Sequence, residues 1–98
     1  MKYVYISGAI TGTKDYVERF RNASLMIFNR NEIPINPVSI CGHLTPHSTW
    51  ETYMRVCIKA LCDCSHVYML KGWEKSKGAT EEHRIAVMLN LDIEYEED

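Results

Sequence analysis

The chain has 98 residues, 46% of them hydrophobic and 24% charged, and a formal charge of -2. That balance excludes a disordered chain and leaves no basic stripe for a nucleic-acid polymer, while a single nucleoside or nucleotide stays compatible with it. No apolar run approaches the roughly 20 residues that a membrane-spanning helix needs, and the amino terminus lacks the charged-then-apolar order of a signal peptide, so a cytoplasmic chain with no membrane partner is expected.

The length suits one domain over residues 1–98 with a single modest core. Residues 3–7 are a β-rich run stopped by Gly8, and residues 8–12 follow as a glycine loop before a helix expected to begin near Lys14. Tyr16, Phe20, Ala23 and Ile27 give that helix one apolar side. Residues 33–36 read as a short second strand, and Pro34 assigns it to a sheet edge because proline cannot donate to a ladder. Residues 37–47 show no sustained period and read as a loop. From Ser48 to Glu51 the chain fits a capping box, and Trp50, Met54, Cys57, Ile58 and Leu61 form the stripe of a second helix.

Residues 66–70 are the third strand, 76–90 the third helix and 92–95 a short fourth strand, with an acidic tail at 94–98. Alternating β and α elements with right-handed crossovers predict an α/β three-layer domain, flavodoxin-like or Rossmann-like, with a parallel sheet of about four strands in the order 2-1-3-4. A ligand then sits at the switch point between strands 1 and 3, where the first loop, the tryptophan loop at 71–73 and the start of the third helix converge.

Several residues stand out along those loops. The run from Gly8 to Gly12 can let backbone N–H groups approach a phosphate or sugar, although it is neither a dinucleotide fingerprint nor a Walker loop and serves equally as a plain turn. Thr11 and Lys14 suit a phosphate or a helix start alike. On the third helix Ala79, Glu82, Ala86 and Leu89 share one face, so Glu82 points where a core residue belongs; Glu81 lies about 100° away, and periodicity does not separate the two. Tyr5 and Trp73 fit a hydroxyl that positions Glu82 and a base-stacking surface, although aromatics in a domain of this size are usually core. Cys41, Cys57, Cys62 and Cys64 lack paired zinc spacing, so free thiols, no metal and no cofactor are expected.

The residues from Tyr5 to Gly12, Asn36 with Pro37, Trp50 with Tyr53 and Met54, and the segment 67–86 resemble the DUF4406 proteins, and through them the nucleoside 2-deoxyribosyltransferase-like superfamily. That resemblance implies a nucleoside or nucleotide substrate whose N-glycosidic bond is cleaved, or whose deoxyribosyl group is transferred, by a glutamate nucleophile. Glu82 matches the nucleophile in preference to Glu81, Tyr5 the tyrosine that orients it, and Ser7, Gly8 and Ile10 the loop around the sugar or its phosphate. Trp73 then lines the base pocket, Gly78 joins Ser7, Gly8 and Ile10 among the substrate-binding residues, and a homo-oligomer is implied.

Three departures accompany the match. Cys57 stands where the superfamily commonly has an aspartate near the leaving base, and Ser65 where it has one at the start of strand 3, with Asp63 two residues earlier. The chain also ends 16 residues after Glu82, short of the partner-subunit residue that completes the larger enzymes' sites. The alternative expectation is therefore a noncatalytic nucleotide-binding module that has lost part of the active site.

Overall fold

A computed structural model describes residues 1–42, 44 and 48–97. The chain runs β1 (Tyr3–Ser7), α1 (Tyr16–Asn29), β2 (Ile33–Ile35), a single helical turn α2 (Pro37–Ile40), α3 (Trp50–Cys62), β3 (His66–Met69), a 3-10 turn (Trp73–Lys75), α4 (Lys77–Met88) and β4 (Asp92–Tyr95). All four strands are parallel, in the order β2-β1-β3-β4, as the sequence predicts. Tyr5 pairs with Ile35 on one side and with Val67 on the other.

The central strands are sandwiched between helices and read as nearly continuous apolar runs, as strands buried on both faces do. Val4 and Ile6 of β1, with Tyr68 and Leu70, pack against Phe20, Ala23 and Ile27 of α1. On the opposite face Tyr5, Val67 and Met69 meet Cys57 and Leu61 of α3 and Ala79 and Ala86 of α4. Pro34 lies on edge strand β2, where its missing N–H costs no ladder bond.

Local chemistry moves several predicted boundaries. The first helix begins at Tyr16, two residues after Lys14, with Asp15 at its cap. The predicted loop at 37–47 opens as α2, because Asn36 Oδ1 accepts from Val38 N at 2.9 Å and Pro37 stands at the first helical position, where no N–H is needed. Residues 43 and 45–47 of that loop, and residue 98 of the predicted tail, lie outside the described residues. The cap of α3 is Thr49 and not Ser48: Thr49 is extended and its hydroxyl accepts from Thr52 N at 3.1 Å. The third long helix ends at Met88, two residues short of Asn90, because Asn90 adopts a left-handed φ of 59° that breaks the helix and turns the chain toward β4.

Candidate active site

Strand alternation places Tyr5 and Ser7 on the same face of β1, two residues apart and aimed at α4. Ser76 caps α4, its hydroxyl accepting from Ala79 N at 3.2 Å, and the helix then presents Ala79, Glu82 and Ala86 inward. The carboxylate expected in the apolar stripe is therefore Glu82, only 5% exposed, whereas Glu81 faces outward and pairs with Arg84. Tyr5 donates to Glu82 Oε2 at 2.7 Å and Ser7 to Oε1 at 2.6 Å. Each carboxylate oxygen thus has one buried hydroxyl donor.

Burial pushes the Glu82 carboxyl above its ordinary value, and the hydrogen bonds from Ser7 and Tyr5 pull it back down. Burial, reinforced by the neighbouring Glu82, holds the Tyr5 phenol far above its ordinary range, so Tyr5 stays a neutral donor. The pair is consequently a carboxyl group fixed in place by an undissociated phenol.

In front of Glu82 lies a cavity of about 610 Å³. Tyr5 and Glu82 form part of its wall together with Gly8, Ile10 and Thr11 of the first loop. Lys75 to Ala79, at the start of α4, and Trp50, Tyr53 and Met54 of α3 supply the rest, along with Pro37, Ser48 and Thr49. The cavity lies at the carboxyl ends of β1 and β3, where the strand order reverses. Two glycines keep their neighbourhoods close: a Cβ on Gly8 would come within 2.8 Å of Leu70 Cδ1, and one on Gly78 within 3.2 Å of Met54 Sδ.

Five of the site residues named from sequence, Tyr5, Gly8, Ile10, Gly78 and Glu82, share this cavity. Ser7 does not line it; it is wholly buried and touches Glu82. Trp73 is also absent from the wall, since its ring stacks on His83 at 4.3 Å beside Tyr95. The indole in the wall belongs to Trp50, with the Lys77 ammonium 4.2 Å from its ring centre. Sequence reasoning placed Trp50 in a helix stripe and among the residues of the family resemblance but gave it no role in the site, although Trp50 and Tyr53 stand three apart in the first turns of α3, a spacing that puts both on one face.

The departures fall in different places. Cys57 is fully buried in the same cluster as Tyr5, and burial pushes its thiol up to about 12, so it is neither a ready acid nor a ready base at neutral pH. Ser65 precedes β3 at the amino end of the sheet, where its hydroxyl lies 2.6 Å from His66 Nδ1, and Asp63 caps the end of α3. Neither Ser65 nor Asp63 lines the cavity. Among the described residues, no three His, Cys, Asp or Glu side chains form a metal-holding group, and no helix is long and apolar enough to cross a membrane.

No curated protein matches the sequence. A family model matches residues 2–95, which is nearly the whole chain, and the protein therefore belongs to DUF4406, a family described as a domain of unknown function.

Proposed function

We propose that this protein cleaves the N-glycosidic bond of a nucleoside or nucleotide, or transfers its deoxyribosyl group, with Glu82 as the nucleophile. The observation that carries the reading is the buried carboxylate of Glu82, held through both oxygens by Tyr5 and Ser7 at the wall of an open cavity. Departure of a base from C1' leaves positive charge on the sugar ring, and a fixed anion on one face stabilises it. Glu82 then bonds to C1' as the C1'–N bond breaks, giving a glycosyl ester that water hydrolyses or an acceptor base displaces. Hydrogen bonds from Tyr5 and Ser7 offset part of the upward push of burial on the carboxyl and fix its orientation at the cavity wall.

Trp50 and Tyr53 supply aromatic surface for the base in place of Trp73, and the lysines of the wall, Lys75 and Lys77, suit an anionic substrate. The relationship to the nucleoside 2-deoxyribosyltransferase-like superfamily belongs to this proposal and supports it through the Tyr5, Gly8 and Glu82 matches.

One observation favours a second reading. Glu82 is the only carboxylate among the described residues of the cavity wall, so no second carboxyl group protonates a departing base. A noncatalytic module that binds a nucleotide in the same cavity fits that arrangement. Incubation with purine and pyrimidine deoxynucleosides and their 5'-monophosphates, followed by chromatography, separates the two. Release of free base supports the enzyme; a rise in melting temperature with nucleotide and no base released at high protein concentration supports the binding module.

A further inference from the structure

Two thiols beside the site take no part in the proposed chemistry. Cys41 closes the carboxyl end of α2 and Cys57 lies in the middle of α3, and their sulfurs stand 3.7 Å apart across a separation of 16 residues. Both pack in the cluster that contains Tyr5, with Tyr53 alongside. Cys57 is wholly buried, whereas Cys41 is partly open to solvent. The other two thiols are placed differently: Cys64 donates to Ala60 O at 3.3 Å, and Cys62 is exposed on the surface.

We propose that Cys41 and Cys57 are an oxidative modification site, a dithiol that closes into an intramolecular disulfide with a peroxide as the oxidant. A disulfide bond is about 2.05 Å long, so sulfurs already in contact close by side-chain rotation and a small shift at the end of α2. Cys41, the thiol that solvent reaches, attacks one peroxide oxygen as its thiolate. The O–O bond breaks, leaving a sulfenic acid on Cys41 and a hydroxide that takes the thiol proton as water. Cys57 sulfur then attacks Cys41 sulfur, the S–O bond breaks, and the departing hydroxide leaves with the Cys57 proton as a second water. The two thiols lose two electrons and two protons, and one hydrogen peroxide becomes two waters.

Burial pushes both thiols up, so closure is slow beside that of a low-pKa sensor cysteine, and proximity drives it. The bond removes both thiol protons from the surroundings of Tyr5 and ties the end of α2 to α3, next to the Tyr53 wall of the cavity. The thiol measurements below do not depend on any nucleotide chemistry.

The test uses the full chain with Cys62→Ser, which removes the exposed thiol and leaves three. After hydrogen peroxide, alkylation under denaturing conditions should count one free thiol. Intact mass should fall by two hydrogens, a non-reduced peptide map should join Cys41 to Cys57, and dithiothreitol should reverse all three changes. Adding Cys41→Ser to that background should leave both remaining thiols unlinked under the same treatment. Three free thiols after peroxide, a bond that joins any other pair, or sulfinic acid on Cys41 with Cys57 untouched would each overturn the proposal.

Discussion

Strand β1 serves two different regions with alternating residues. Val4 and Ile6 enter an all-apolar contact with Phe20, Ala23 and Ile27 of α1, while Tyr5 and Ser7 enter a contact with α4 that holds a buried carboxylate. The first face gains from burial alone; on the second, Glu82 loses hydration and recovers part of it from two hydroxyl donors. Four consecutive residues therefore contribute to an apolar contact on one side and to the proposed site on the other, and substitutions should separate the two.

The largest expected effect is Glu82→Gln. Base release, measured by chromatography, should fall by roughly 10³-fold or more, as when a covalent nucleophile is removed. Stability should move the other way. Because the folded-state pKa of Glu82 is raised, the fold favours the protonated form, and the stability it contributes is lost as pH rises through that raised value. A neutral amide does not carry this penalty, so the variant's melting temperature at neutral pH should equal or exceed that of wild type.

Phe20→Ala tests the opposite face. Truncating this fully buried ring should cost about 3–5 kcal/mol in denaturant unfolding, with activity per folded molecule retained. A fall in activity beyond the loss of folded protein would show that the two faces are not separable.

Tyr5→Phe and Ser7→Ala each remove a hydrogen bond that lowers the Glu82 pKa, so both should move the acid limb of the pH–rate profile to higher pH. A hydrogen bond to a charged group is worth about 1.5–3 kcal/mol, so each rate should fall by roughly 10- to 100-fold at neutral pH. An unmoved limb would mean that neither hydroxyl tunes the carboxylate. Gly8→Ala probes the junction of the two faces, since the new Cβ meets Leu70 of the α1 side while Gly8 lines the cavity. A small overpacking loss of about 1–3 kcal/mol is expected in thermal or denaturant unfolding.

The fold was legible because its signals repeat. Apolar runs bounded by glycine, and stripes such as Tyr16, Phe20, Ala23 and Ile27, fixed element type and parallel order. Boundaries followed single hydrogen bonds that no period encodes, such as Asn36 to Val38 N and Thr49 to Thr52 N. Within the site, a carboxylate in the apolar stripe was legible from spacing, but the family resemblance and not periodicity separated Glu82 from Glu81 and gave Tyr5 its role. Ser7 had a signal in its spacing of two from Tyr5, which sets both on one face, but a small hydroxyl at a strand end suggests a loop contact as readily. Trp73 misled because a 3-10 turn rotates its ring onto His83, and nothing in its spacing reveals that rotation.

The most direct test of Glu82 as nucleophile is to quench wild type and Glu82→Gln during reaction with a deoxynucleoside 5'-monophosphate and map their peptides by mass. The expected result is a sugar phosphate ester on the peptide containing Glu82 in wild type, with neither adduct nor base release in the variant. Base release at an undiminished rate from Glu82→Gln would contradict the assignment.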